Sequence, residues 1–519
     1  MELVDNTALR IVVPVQDVPS IKNHIERCEV LQSTDKHSEL LVFWGIEEMQ
    51  RLARLYPDIP CPITRDYKWP GLYTPFVHQK TTAAFLAMRD RAFCFNEAGT
   101  GKTSSVIWAA DYLMQEGLVR RVLVICPLSI MYSAWQDEIF KTAMHRTAAV
   151  AYGDVKKRKK ILKGSYEFVV INYDGVSVVE NDLNKLGFDL IVVDEANAYK
   201  NTSTKRWKTL NRLMTPTTRL WMLTGTPASQ SPEDAFGLAK LICPGNVPKW
   251  KTTWKDQVMY QVSRFRWIPK PHARKMVYEA LQPAIRFEKS QCLDLPTVTY
   301  QTRYIPLTQQ VARYYKLIKE QMLVETAGTQ ITAVNAAARV SKLLQISGGA
   351  VYAEGGSVVE FDIAPRLNAL TEVLEETEHK VIVFVPFRHT IELVAAHLTK
   401  EGITNDTING DITARNRATI INQFQTQADP RVLIIQPQAA SHGVTLTAAD
   451  TVVFWSPVTS VETYLQCIAR IDRVGQQNKM TIVHLQGSEV ERQMYGMLRD
   501  KVDMHSKLVD LYTEELNRE

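Results

Sequence analysis

Nine short runs, apolar almost throughout and without polar alternation, constrain this chain more than any other feature of its sequence. Five lie in the first half: Ala92–Asn96, Val122–Cys126, Glu167–Ile171, Leu190–Val193 and Leu220–Leu223. Four lie towards the end: Val381–Val385, Val432–Ile435, Thr451–Trp455 and Thr481–Leu485. A strand that is apolar at successive positions is buried on both faces, as in a parallel sheet covered by helices on either side. Helix-length segments separate the runs, so each group predicts an open, mostly parallel sheet with crossover helices. The expected fold class is α/β, with two parallel-sheet lobes in tandem. At 519 residues the chain is also too long for one core.

Residues 230–365 carry helical periodicity without regular strand alternation and predict helical insertions between the lobes. Residues 1 to about 70 mix short strands, Ile11–Val13 and Leu40–Trp44, with a helix near Glu47–Tyr56. Pro57, Pro60, Pro62 and Pro70 then mark a linker. The expected domains are a small α+β accessory module over 1–70, a first lobe over 71–290 that ends in a helical insertion, and a second lobe over 291–519 that begins with one.

The first run leads directly into Glu97-Ala-Gly99-Thr100-Gly101-Lys102-Thr103, and a helical pattern from Ser104 to Met114 follows. Strand, glycine loop and helix form the context of a nucleotide P-loop. Gly99 and Gly101 allow backbone N–H groups to turn inward on phosphates at the helix N-terminus, where the dipole favours negative charge. Lys102 then reaches the β- and γ-phosphates, and the Thr103 hydroxyl ligates magnesium. The full eight-residue pattern asks for glycine at position 96, where this chain has Asn96. The run Phe188–Val193 ends in Asp194-Glu195-Ala196-Asn197, so two carboxylates emerge at the C-terminal edge of a buried strand. Asp194 is placed to hold magnesium through water, and Glu195 to orient or deprotonate the attacking water.

Near the end, Gln466, Arg470 and Arg473 stand at i, i+4 and i+7, which predicts one shared helix face, with Ile468 and Ile471 pointing elsewhere. Two guanidinium groups on adjacent turns repel, and a helix presents them together mainly where an anion receives them. Taken alone, the segment reads equally as a solvated surface with two unrelated arginines. The phosphate loop supplies the anion.

Composition narrows the class further. With 45% hydrophobic and 23% charged residues the chain is ordinary globular material. No apolar run approaches a membrane span, and the start Met1–Asn6 lacks a basic segment and signal core. Seven scattered cysteines without a Cys-x-x-Cys pair read as small core residues in a reducing compartment. The location expected is cytoplasmic, in a bacterial or virus-infected cell, or nuclear in a eukaryote. A net charge of +5 is mild, so a nucleic-acid surface has to come from local clustering. Two clusters qualify. Lys156-Lys157-Arg158-Lys159-Lys160 reads as a nucleic-acid contact or as a solvated helix face. Residues 249–275 hold eight Lys/Arg, including Arg264 and Arg266, against one Asp, interleaved with Trp250, Trp254, Phe265 and Trp267. Such a mix grips backbone and stacks on bases, or else the tryptophans fill the core of an insertion.

Further segments fall in a recognisable order. Phe76-Val-His-Gln79 precedes the P-loop, and Cys126-Pro-Leu-Ser-Ile-Met-Tyr-Ser-Ala-Trp135, Ala151-Tyr-Gly-Asp154, Asn172-Tyr173 and Leu223-Thr-Gly-Thr-Pro227 follow it. Asn409-Gly410-Asp411 comes next with Arg415, Arg417 and Phe424, then Ser441-His-Gly443-Val-Thr-Leu446-Thr-Ala448, and finally Arg470-Ile-Asp-Arg473-Val-Gly-Gln476. Over about residues 71–500 the chain resembles the Swi/Snf group of superfamily-two helicase-like ATPases, which translocate on duplex DNA. The resemblance implies two RecA-like lobes, with ATP and Mg2+ as cofactors. It implies that Gln79, Gly99, Thr100, Gly101, Lys102, Thr103, Gly443 and Gln466 hold nucleotide and that Thr103 and Asp194 hold metal. Catalysis would rest on Lys102, Asp194, Glu195, Arg470 and Arg473, with the arginines brought onto the γ-phosphoryl group by lobe closure. DNA phosphates would be met near Pro127, Ser129, Asn172, Gln438 and His442, and by Arg264 and Arg266. Family members usually carry histidine where this chain has Asn197; asparagine still donates and accepts, which leaves a contact with Gln466 open, and altered coupling with retained hydrolysis is expected.

The chain shows no evident histone-reading or DNA-spacing segment, and a compact motor with a small N-terminal module more resembles the fork-remodelling, annealing-helicase branch or a viral or bacterial relative. The expected partners are DNA, duplex or branched, and a protein at the N-terminal module, with no membrane and a monomeric state. A strand-separating helicase on RNA or single-stranded DNA and a catalytically silent nucleic-acid scaffold are the alternatives. The intact Lys102, Asp194, Glu195, Arg470 and Arg473 argue against the scaffold.

Overall fold

The computed structural model describes residues 1–56, 58–225, 227–228, 231–263, 266–292, 296–326, 333–352, 358–440 and 444–498. The chain divides into two compact units, Met1–Cys292 and Leu293–Glu519.

The first unit opens with four antiparallel strands, β1 (Glu2–Val4), β2 (Ala8–Pro14), β3 (Cys28–Ser33) and β4 (His37–Phe43), in the spatial order β1-β2-β4-β3. Period-two alternation sends Leu9, Ile11 and Val13 of β2 and Leu40 and Val42 of β4 into a core. The helix Ile46–Leu52 adds Ile46, Met49 and Leu52 to it. The expected linker is corrected here. Pro57 lies outside the described residues, but Ile59, Cys61, Ile63 and Tyr67 are buried in the same apolar cluster as Val106 and Trp108 of the first parallel-sheet domain. The carbonyls of Pro60 and Pro70 accept the indole N–H groups of Trp44 and Trp108 at 2.9 and 3.0 Å. Proline lacks a donor but keeps its acceptor, and buried indoles use it. The module is thus fused to the lobe through one core.

The strands β5 (Arg91–Cys94), β6 (Val122–Cys126), β7 (Ala148–Val150), β8 (Phe168–Asn172), β9 (Leu190–Val193) and β10 (Arg219–Leu223) are followed by a hairpin, β11 (Met259–Ser263) and β12 (Arg266–Pro269), and by β13 (Ala284–Ile285). Seven of them form one all-parallel sheet in the order β13-β5-β10-β9-β6-β8-β7. Every residue of β6 and β9 is buried, as the unbroken runs predict.

In the second unit, β14 (Val298–Tyr304) precedes a small hairpin, β15 (Ala350–Tyr352) and β16 (Val358–Glu360). Then come β17 (Lys380–Phe384), β18 (Asn405–Ile408), β19 (Val432–Ile435), β20 (Ala449–Phe454) and β21 (Met480–Gln486). The main sheet is again parallel, in the order β14-β21-β20-β17-β19-β18. Its central strands feed two separate cores. Ile382 and Phe384 of β17 enter one, with Leu433, Ile435, Val452 and Phe454. Val381 and Val383 enter the other, with Val432, Ile434, Val453 and Val483.

The expectation of strand-free insertions over 230–365 is corrected too. The region holds the helices Ala235–Ile242, Lys251–Val258, Ala273–Ala280, Gln309–Thr326 and Ala333–Gly348, but also β11 to β16. β13 has two residues, and β14 is a largely exposed sheet edge rich in Thr, Gln and Tyr, so neither shows as an apolar run.

One buried carboxylate ties the module to the lobe. Asp111, on the helix after the P-loop, accepts from the Tyr67 hydroxyl at 2.6 Å, from Gln115 Nε2 at 3.1 Å and from Arg146 Nε at 2.5 Å. The His145 ring nitrogen lies 2.9 Å from the same carboxylate. Asp111→Ala strands these donors, although Arg146 keeps Glu167 at 2.7 Å. The expected loss is about 3 kcal/mol, the low end for a broken buried ion pair, measured as a shift in the denaturant midpoint.

Candidate nucleotide site

The C-terminal edge of the first parallel sheet collects the polar loops, and the phosphate loop leaves from β5. Gly99 and Gly101 have φ of +90° and +77°, in the left-handed region where glycine is at home. Gly101 caps the helix Lys102–Gln115. A Cβ on it would stand 2.0 Å from Gln79 Nε2, so a side chain there would also have to displace the Gln79 amide. Gln79 Oε1 accepts from the Phe76 amide at 2.9 Å, and its Nε2 donates to the Gly101 carbonyl at 3.5 Å. A ring nitrogen of His78 lies 2.8 Å from the Thr100 carbonyl. Both side chains of the helix Val77–Ala87 therefore pack beneath the loop and set its position.

Asn96 explains the departure from glycine. Its buried amide donates to Thr82 Oγ1 at 2.8 Å and accepts from the Phe287 amide at 3.0 Å, which joins the loop to the helix beneath it and to the segment after β13. Arg286 adds to this brace, donating to the carbonyls of Phe95 at 3.0 Å and Gly225 at 3.3 Å and pairing with Glu97 at 3.4 Å. Nothing in the sequence pointed to Arg286, because its partners lie some two hundred positions earlier or on another strand end. Lys102 Nζ donates to the carbonyls of Asn96 at 2.6 Å and Glu97 at 3.1 Å, which lays the ammonium across the loop it serves.

The acids sit where β9 ends. Asp194 Oδ1 accepts from the Glu195 amide at 3.0 Å, and Oδ2 accepts from the Trp135 indole at 2.9 Å. Desolvation raises the Asp194 carboxyl above its ordinary value, opposed by the Trp135 N–H, the Lys102 charge and the Glu195 amide. Glu195 has φ +50°, a left-handed conformation for a residue with a side chain, at a cost of roughly 1–3 kcal/mol. The Tyr173 hydroxyl is shared between the carbonyls of Asp194 at 2.7 Å and Glu195 at 3.2 Å and holds the backbone there. A glycine-lined anion cradle, an ammonium and an oriented carboxylate on one sheet edge suit a nucleotide with a divalent cation, so the donor set fits magnesium. No group of three or more His, Cys, Asp or Glu elsewhere among the described residues forms a metal cluster.

The arginine segment belongs to the second unit and corrects the shared helix face. The helix Val461–Ile468 ends before both arginines, which lie in the turns that follow. Each guanidinium folds back on the carbonyl four residues earlier: Arg470 Nε donates to Gln466 O at 2.7 Å, and Arg473 Nε to Ala469 O at 2.8 Å. Their Nη1 atoms donate to consecutive residues of one loop, Val444 O at 3.1 Å and Thr445 Oγ1 at 3.0 Å. The carbonyl-rich helix end offsets the repulsion between the two charges. Gln476 is buried and brackets the turn, donating to Ala449 O at 2.8 Å while its Oε1 accepts from the Gln477 and Asn478 amides. Ile468 and Ile471 point into the core as expected.

The candidate nucleic-acid residues are spread along strand ends. Pro127 and Ser129 flank the exposed Leu128 in the turn after β6, Pro127 buried and Ser129 half-buried, and Asn172 ends β8 with its Oδ1 accepting from Arg158 Nη1 at 3.1 Å. Gln438 is exposed on the short helix Pro437–Ala440 after β19. His442, Gly443 and Arg264 lie outside the described residues, and Arg266 is described only as backbone of β12. The basic run is not one surface. Arg158 is buried beside Leu162 on the inner side of the helix Val155–Leu162, with Nη1 donating to Ala151 O at 2.7 Å. The tryptophan cluster splits: Trp254 is buried with its indole on the Pro232 carbonyl at 3.2 Å, while Trp250 is 63% exposed. Lys255 Nζ sits 4.2 Å from the Trp267 ring.

Two family profiles match the chain: the SNF2-related domain over residues 78–347 and the Helicase conserved C-terminal domain over residues 365–475. The CHD3-type chromatin-remodeling factor CHR7 of Arabidopsis thaliana is 23% identical over 94% of this chain and 41% of its own length. The DNA annealing helicase and endonuclease ZRANB3 of Bos taurus is 25% identical over 90% of this chain and 44% of its own. The chain thus spans less than half the length of these curated relatives. Among solved structures, the Sulfolobus solfataricus SWI2/SNF2 ATPase core in complex with dsDNA aligns with 85% of this chain and 94% of that one, at 21% identity and a TM-score of 0.43.

Restoring glycine at position 96 tests the brace around the loop. Asn96→Gly removes two hydrogen bonds and leaves the Phe287 amide unpaired, an expected loss of about 2–3 kcal/mol, read as a lower midpoint in denaturant unfolding.

Proposed function

We infer the function from one premise: the chain belongs to the SNF2-related family, whose profile covers more than half of it. The protein hydrolyses ATP and couples the hydrolysis to translocation on double-stranded DNA, remodelling forks, branches or protein–DNA complexes. The observation that carries this reading is the convergence, at one sheet edge, of the glycine loop with Lys102 and of Asp194 held by two donors. The bovine relative is named a DNA annealing helicase, which supports DNA as the track.

In this reading the loop amides from Gly99 to Thr103 bind the β- and γ-phosphates, with Gln79 and Thr100 fixing the loop and Lys102 countering the charge. Thr103 and Asp194 hold the magnesium ion, which neutralises phosphate charge when bound. Glu195 orients a water whose oxygen attacks the γ-phosphorus and takes its proton as the bond to the bridging oxygen breaks. The family resemblance assigns Arg470 and Arg473 to stabilising the charge that develops on the transferring group, and Gly443 and Gln466 to nucleotide contacts. DNA phosphates are met at the strand-end turns of Pro127, Ser129, Asn172 and Gln438, with His442, Arg264 and Arg266 as further contacts; binding should then weaken as salt rises.

The test is ATP turnover with duplex, branched and single-stranded DNA and with RNA, alongside triplex displacement and strand separation. The expected result is stimulation by duplex or branched DNA and triplex displacement without strand separation. Strand separation, or stimulation by RNA alone, overturns the translocase. Lys102→Ala and Glu195→Gln should abolish turnover in folded protein, and Arg473→Ala should lower it by roughly 10³–10⁵.

A further inference from the structure

Among the described residues, six tryptophans donate their indole N–H to a backbone carbonyl: Trp44, Trp108, Trp207, Trp221, Trp254 and Trp455. Trp135 differs. Its indole donates to a carboxylate, that of Asp194, at 2.9 Å. The side chain is fully buried, so this bond forms out of competition with water. Burial alone would have been satisfied by a carbonyl, as it is for the five of these six that are buried, Trp207 being half-buried.

The backbone that carries Trp135 is also unusual. Met131–Gln136 is a π-helical turn, with the Asp137 amide donating to the Tyr132 carbonyl five residues back. Such turns are rare and gather at functional sites. Met131, Trp135 and Ile139 face inward while Tyr132 and Phe140 stay exposed. The segment continues as the helix Asp137–Thr142, where Glu138 Oε1 accepts from Ser104 Oγ at 2.6 Å, in the first turn of the P-loop helix. At its other end lies the turn after β6, where Leu128 reaches the surface while Pro127 and Ile130 are buried. One continuous segment therefore has a surface turn at its start and two polar ties, to the acid and to the phosphate-loop helix, further along.

We propose that Trp135 is a positioning residue: it fixes the Asp194 carboxylate for the metal and carries nucleic-acid engagement at the Leu128–Tyr132 turn to the ATP site. This rests on the ATPase reading above. A carboxylate with one donor on each oxygen is held in one rotamer. Outer partners of this kind orient metal ligands, and their loss costs roughly 10–100-fold in metal affinity.

The test compares wild type with Trp135→Phe, which keeps an aromatic ring in the buried space, and with a variant carrying benzothienylalanine at position 135. The second residue matches the shape of tryptophan and replaces only the N–H by sulfur, so it covers the case in which phenylalanine fails to fold. The first readout is binding of a fluorescent ATP analogue as Mg2+ is titrated, independent of turnover. The second is the ratio of DNA-stimulated to basal ATP hydrolysis. Both variants should need roughly 10–100-fold more Mg2+ for half-saturation, and their stimulation ratio should fall towards one. A folded variant with the wild-type Mg2+ requirement overturns the positioning role, and one with the wild-type ratio overturns the coupling. Wild-type protein that DNA fails to stimulate instead overturns the translocase reading and leaves the Mg2+ titration as a test of Trp135 alone.

Discussion

A parallel sheet buried on both faces leaves polar chemistry nowhere to go except the ends of its strands. That constraint organises both units. In the second unit, alternate residues of single strands enter two different apolar cores, so neither face has room for an uncompensated charge. In the first, the phosphate loop, Asp194 and the turns at Pro127 and Asn172 all leave from C-terminal strand ends. The site is assembled by topology before any particular side chain is considered.

Topology brings the loops together, but it does not hold them still. The phosphate loop is short of the first glycine of the longer pattern, and the side chain there takes a structural role instead. Asn96, Arg286 and His78 pin the loop from three directions, with bonds to the segment after β13 and to the helix beneath. The acidic strand end is held in the same manner. Glu195 occupies a backbone conformation that resists a side chain; Tyr173 fastens the Asp194 and Glu195 carbonyls, and Trp135 the Asp194 carboxylate. Preorganisation of this kind takes its cost in folding, so that little reorganisation is left for the chemical step.

The parts of this architecture that were legible in the sequence share a physical cause. Unbroken apolar runs report two-sided burial, and all nine fall on strands of the two parallel sheets. The glycine loop was legible because only glycine fits its positive φ angles. What stayed hidden lacks such a signature. β14 lies at an exposed edge and carries polar residues, so it shows no run. The proline-rich stretch before Gly71 has the composition of a linker, yet its isolated apolar residues find a core supplied by distant helices. Arg286 and Trp135 owe their roles to partners far away in sequence, which no local pattern reports.

The arginine turn shows how spacing is correct about proximity and wrong about geometry. Spacing of i, i+4 and i+7 does place Gln466, Arg470 and Arg473 near one another, but the helix stops at Ile468 and the guanidiniums close its end. The same groups reach Val444 and Thr445, so the turn and the segment at Val444–Thr445 are stitched together by two planar, multi-donor cations. Lysine could supply the charge but not two divergent donors from one rigid group. Under the proposed function, a residue that both caps a helix and stabilises a transferring phosphoryl group must keep some N–H groups for each task. Arginine, with five of them in a fixed plane, is the side chain that allows both.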